Sequence, residues 1–170
     1  SHPGKKLLFM GGEFGHIEEW DHERTLDWHL WARARHSGLA RWVSDLNRTY
    51  RALPALHAND FDRASFAWAP AEPHHSTVIA LLRLGPDGES VLAIHNMTPT
   101  PHTGVRIGVP RAGHWHEVLN SDAQTYGGSG VGNCGGVHAT PDAWGGQPAS
   151  LQITVPPLSS LYFSTRPLGA

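Results

Sequence analysis

Cysteine is almost missing from these 170 residues: Cys134 stands alone. No disulfide can form within the chain, and a reducing compartment, the cytoplasm, is the expected location. Lysine is nearly as scarce. Two Lys and 11 Arg face 15 Asp and Glu for a formal net charge of -2, without the basic excess that a nucleic-acid footprint needs. No apolar run approaches the ~20 residues of a membrane-spanning helix, and the amino end lacks the cationic-then-apolar pattern of a signal peptide, so neither nucleic acid nor membrane is an expected partner. The opening Ser1 and His2 have the look of a tag remnant.

What is plentiful is glycine (19) and proline (13), crowded into the second half as in a chain of short strands joined by many turns. The glycine-rich stretch YGGSGVGNCGG, residues 126–136, reads as a loop. It has neither the preceding strand nor the Gly-Lys-Ser/Thr helix opening of a phosphate cradle. The length suits one ordinary domain with an appendage.

Residues 6–10, KLLFM, form a short apolar run stopped by Gly11 and Gly12, the pattern of a strand buried on both faces. Leu39, Trp42, Val43, Leu46, Tyr50 and Leu53 then recur at helical spacing, and Pro54 closes that amphipathic helix. Beyond it seven segments (SFAWA, TVIALLRL, SVLAIHNM, TGVRIGV, HWHEVL, SLQITV and SLYFS) are short and rich in β-branched and aromatic residues. Gly85-Pro86-Asp87-Gly88 predicts a hairpin between residues 77–84 and 90–97. Val105, Ile107 and Val109 alternate, as do Leu151, Ile153 and Val155. The fold expected is mainly β: an antiparallel sandwich of seven to eight strands over residues 55–170, preceded by a strand, loop and helix in residues 1–54. Trp42 and Trp68 are expected in the core.

Six acidic residues and three tryptophans lie within residues 9–31. Acidic loop residues are ordinarily just solvated. Here Phe14, Trp20 and Trp28 accompany Glu13, Glu18, Glu19 and Asp21, which is the pairing that sugars call for: aromatic faces to stack on and carboxylates to take hydroxyl hydrogen bonds. Thirteen histidines raise the question of a metal. His114 and His116 share a strand face, but no third ligand follows at a familiar spacing. His74 and His75 read as a surface turn, and His22, His29 and His36 have no carboxylate partner pattern. Neither metal nor cofactor is expected. No Gly-x-Ser-x-Gly elbow supports a serine triad.

Taken together, PGKKLLFMGGEFGHIEEW, LDWHL, VSDLNRTYRALPALHAND, HNMTPTPHTGVRIGVPRAGHWHEVLNSDAQTYGGSGVGN and VPPLSSLYF resemble the C-terminal portion of bacterial 1,4-α-glucan (glycogen) branching enzymes of the α-amylase superfamily. The resemblance runs from about residue 3 to residue 163. It implies a catalytic (β/α)8 barrel followed by an all-β domain, with residues 6–10 as the last barrel strand, residues 39–53 in the last barrel helix, and residues 11–28 as a loop on the rim where barrel active sites are built. On this resemblance Glu13, Phe14, Glu19, Trp20 and Trp28 line the glucan cleft. His16 stands where many relatives carry glutamine, and Asp21 where asparagine is frequent. The family's nucleophile aspartate, acid/base glutamate and stabilising aspartate have no matching motif here, so the chain is expected to be an inactive piece of an enzyme. That enzyme would cut α-1,4 linkages through a glycosyl-aspartate and pass the segment to a 6-hydroxyl with retention, forming α-1,6 branches. Partners implied are α-glucan and the rest of the barrel. Deprived of the barrel, residues 1–53 are expected to be disordered, self-associated, or laid back on the sandwich. The competing expectation is a stand-alone carbohydrate-binding sandwich using Trp115, Trp144 or Tyr126.

Overall fold

The structure, a computed structural model, describes residues 1–69, 71 and 77–169; His74 and His75 fall outside the described residues. Helix α1 (Ala34–Ala52) begins ahead of the apolar stripe and ends where Pro54 can no longer donate to the ladder, with the Leu53 amide giving the last bond to Thr49 O at 3.0 Å. Eight strands follow among the described residues: β1 (Phe66–Trp68), β2 (Val78–Leu84), β3 (Ser90–Asn96), β4 (His102–Val109), β5 (Gly113–Asn120), β6 (Gly136–Ala139), β7 (Ala149–Val155) and β8 (Ser159–Ser164). All seven expected strands form. β6 is additional, its four residues hidden in the sequence by the glycines before it.

Every strand pair is antiparallel. One sheet runs β1-β2-β3-β8-β5-β6 and the other holds β4 and β7. The expected turn joins β2 to β3, with the Gly85 amide donating to Glu89 O at 2.8 Å and Asp87 and Gly88 at φ +56° and +74°, the left-handed region that suits Asp and Gly.

The six-stranded sheet is the middle layer. On one side Leu82, Leu92, Ile94, Trp115, Leu161 and Phe163 pack against Val105, Ile107, Leu151, Ile153 and Val155 from β4 and β7. On the other, Leu81, Val91, Ala93, Leu119 and Tyr162 meet Trp42, Leu46 and Tyr50 of α1. Burial on both faces is why β2 and β3 read as continuous apolar runs, whereas β4 and β7, with one face outward, alternate.

Two expectations are corrected. Residues 6–10 form no strand: Leu7 is 89% exposed, with Leu8, Phe9 and Met10 about half exposed. A parallel strand needs a neighbour for its amides and carbonyls, and among the described residues none pairs with this segment. Trp68 is also not core. It lies on edge strand β1 with 65% of its surface exposed, its ring packed edge-on against Phe66 at 5.4 Å.

The amino-terminal residues are laid back on the sandwich, one of the three alternatives expected. Arg83 of β2, fully buried, donates to Asp60 Oδ1 at 2.7 Å and to the carbonyls of Ser1 and His2 at 3.2 and 3.3 Å. Lys6 Nζ lies 3.6 Å from Asp60 Oδ2. Through Trp42, Leu46 and Tyr50 the α1 stripe packs on the six-stranded sheet.

Candidate functional site on the acidic aromatic loop

The loop of residues 11–31 is built around its own small core. Gly11, at φ +80°, accepts from the amides of Phe14 at 3.2 Å and His16 at 3.0 Å. A Cβ at position 11 would collide with the His16 side chain, so this turn needs glycine. It drives Phe14 inward onto Leu30 and Ala40, with Leu26 alongside. The His36 Nδ1–H, from the first turns of α1, donates to the Phe14 carbonyl at 2.9 Å, fastening loop to helix.

That architecture sorts the sequence-derived site residues. Phe14 has no exposed surface; its ring stacks inside the loop, 5.3 Å from Trp28 and 5.8 Å from Trp31. Glu13 is half-buried. Glu19 and Trp20 do come together, in a shallow groove of about 410 Å³ that they line with Phe9, Met10, His16 and Glu18. Trp28 is exposed on a separate platform beside Trp31, ring centres 6.5 Å apart. Trp20 meets Phe9 edge-on at 5.4 Å. The His16 Nδ1–H donates to Glu18 O at 2.8 Å, which turns Nε2 toward Asp27 Oδ2 at 3.5 Å.

The loop thus presents two aromatic surfaces, one of them flanked by Glu18 and Glu19. Stacking on a flat apolar face with hydroxyls handed to carboxylates is chemistry these groups can perform. Sequence reasoning missed Phe9, Met10 and Trp31, the first two because their apolar run reads as a buried strand.

The alternative sugar-binding aromatics fare differently. Trp115 is wholly buried, its indole N–H donating to Arg111 O at 3.2 Å. Tyr126 is half-buried and bonded to Asp45. Trp144 is likewise half-buried, its ring lying under the Arg106 guanidinium. His114 and His116 share the outer face of β5, rings 4.4 Å apart; among the described residues no group of three metal-ligating side chains is assembled. None of the helices among these residues is long and apolar enough to cross a membrane.

The layered antiparallel fold has a counterpart in a solved structure, a pullulanase of Group B Streptococcus, at TM-score 0.51 and 11% identity over 82% of this chain and 18% of that one, a likeness of fold only. Residues 68–166 match the family described as alpha amylase, C-terminal all-beta domain, and the chain belongs to that family. More particularly, it is 51% identical over 95% of its length to a 1,4-alpha-glucan branching enzyme GlgB of Cereibacter sphaeroides, and 49% identical over 95% to one of Aquifex aeolicus. It is homologous to the C-terminal region of these enzymes and spans about a quarter of their length, 22% and 26%.

Proposed function

We propose that this chain supplies one wall of the glucan cleft and the C-terminal scaffold of an enzyme that transfers α-1,4-glucan segments to form α-1,6 branches. The observation that carries the reading is identity near one half with branching enzymes across 95% of the chain, the acidic aromatic loop included. In this reading residues 1–54 belong to the end of a (β/α)8 barrel and residues 55–170 form the all-β domain, working together in the cytoplasm, where a lone thiol stays reduced.

Glu19 and Trp20, with Phe9 beside them, hold one stretch of glucan, and Trp28 with Trp31 supports another; Glu13, on the same loop, lines the cleft. The nucleophile and the acid/base come from the barrel, so the loop contributes binding and orientation, not bond cleavage. The exposed apolar surface of Leu7 and Leu8 is what a neighbouring barrel strand would cover, at ~1.5–3 kcal/mol for each large side chain.

The test has two arms. Incubated alone with linear glucan, the chain leaves the iodine complex intact; loss of the complex at enzyme-like rates overturns the reading. In the enzyme that joins this chain to its barrel, Trp20→Ala lowers kcat/KM for amylose by about 10-fold, as the loss of one stacked aromatic predicts. An unchanged kcat/KM for both Trp20→Ala and Trp28→Ala removes the loop from the cleft.

A further inference from the structure

On the face of the sandwich away from α1, β4 and β7 turn Arg106 and its cross-strand partner Gln152 outward. They border a groove of about 750 Å³ whose far side carries His138, Thr140 and Asp142. Two contacts hold Arg106 in place: Nε donates to Ser150 Oγ at 3.0 Å, and its guanidinium carbon lies 4.7 Å from the centre of the Trp144 ring. Among the described residues the terminal Nη groups donate to nothing, so a planar fork is fixed with its outer donors unspent.

The support beneath it is built as closely. The turn carrying Trp144 is closed by reciprocal bonds with Gln147 at 3.0 and 2.9 Å. It lies directly on Gly108, where a Cβ would overlap the Trp144 carbonyl oxygen. Across the groove Thr140 Oγ1 donates to Asp142 Oδ2 at 2.7 Å, leaving the other carboxylate oxygen as an acceptor.

The groove therefore offers one cation, one anion, an amide and an imidazole. A phosphate or carboxylate ligand would gain at Arg106 and lose at Asp142. A neutral ligand with adjacent hydroxyls satisfies both: two oxygens accept from the guanidinium while their hydrogens go to Asp142 and Gln152. We infer that the groove beside Arg106 and Trp144 is a second carbohydrate site, on the scaffold and separate from the acidic aromatic loop, that takes a stretch of α-1,4-glucan through its vicinal diols. The choice of α-glucan rests on the function proposed above; the polyhydroxyl chemistry rests on the groove.

Titration of the full chain with maltoheptaose, read by the indole N–H resonances, tests this. The expected result is saturable movement of the Trp144 resonance (assigned with Trp144→Phe), with Kd on the order of 1 mM. Arg106→Gln and Gln152→Ala should each weaken that movement at least tenfold, while Trp20→Ala leaves it unchanged. Three outcomes overturn the inference: a Trp144 resonance that stays still at saturating maltoheptaose, equal binding by Arg106→Gln, or tighter binding of inorganic phosphate than of maltoheptaose. If instead only the Trp20 and Trp28 resonances move, the groove is refuted and the loop as cleft wall stands. Loss of the Trp20→Ala effect on branching, with the Trp144 shift intact, refutes the cleft wall alone.

Discussion

The hydroxyl of Tyr126 donates to Asp45 Oδ2 at 2.7 Å, and with that bond a loop of the sandwich grips the middle of α1. Trp42 meets the same tyrosine ring edge-on at 5.2 Å, and Arg41 donates to the carbonyl and hydroxyl of Thr125 at 2.6 and 3.1 Å. Because α1 also holds the acidic aromatic loop through His36, this clasp sets the position of the loop relative to the sandwich.

Burial first, and the bond to Asp45 second, push the Tyr126 phenol above its ordinary 10.0. A group whose folded value is raised contributes fully below its unfolded value and loses that contribution as pH climbs through the folded one. Tyr126→Phe is therefore expected to cost about 1–2 kcal/mol near neutral pH and progressively less above about pH 10. Urea unfolding of both proteins at the two pH values checks this.

Gly38 gives a second reading of the same contact. Alanine within a helix ordinarily stabilises by about 0.5–1 kcal/mol relative to glycine. Here a Cβ would overlap the Tyr126 carbonyl oxygen, a backbone atom that has to shift. Gly38→Ala is expected to lower the thermal midpoint; a rise would mean that the clasp yields easily.

Legibility from sequence followed the physics of each element. The other seven strands and α1 announced themselves through runs of β-branched and aromatic residues or through a period left by burial. β6 did not, since it begins at Gly136 directly behind a glycine-rich stretch and carries no such run. Residues 6–10 misled for a different reason: an apolar run has the pattern of a buried strand, yet here Leu7 to Met10 stay open to solvent. Within the candidate site, composition identified the loop, but it could not reveal that Phe14 turns inward while Phe9 and Trp31 stay in reach of solvent. Those directions come from the left-handed turn at Gly11 and from the His36 bond.

The buried pair Arg83–Asp60 should respond to acid. Burial works to raise the Asp60 carboxyl, but the Arg83 hydrogen bond and the charges of Lys6 and Arg83 outweigh it and hold the group below its ordinary 3.8. Its contribution is thus present above about pH 4 and lost as pH falls through the depressed value. Arg83→Met leaves Asp60 without its main partner and is expected to cost about 3–5 kcal/mol, much of which Arg83→Met/Asp60→Leu restores. Guanidinium unfolding of the single and double variants separates the pair from simple packing loss.

Two tryptophans offer a direct contrast. Trp115→Ala empties the centre between the sheets and is expected to cost about 3–5 kcal/mol, whereas Trp68→Ala, at an open edge, should cost under about 1 kcal/mol. Comparable losses at both sites would contradict the burial described.

The exposed run Leu7 to Met10 is expected to make the chain associate as its concentration rises. Leu8→Ser/Phe9→Ser should shift sedimentation toward monomer while changing the unfolding midpoint little, because neither side chain is buried in the single chain.

Strand β8 lies between β3 and β5 in the middle of the larger sheet, although it is made last of the eight. During translation, β1-β2-β3 on one side and β5-β6 on the other must wait with open edges until residues 159–164 clear the ribosome. A stop codon anywhere ahead of Ser159 would thus leave two half-sheets with nothing to join them, and a nascent chain dependent on chaperones rather than a shortened but serviceable domain.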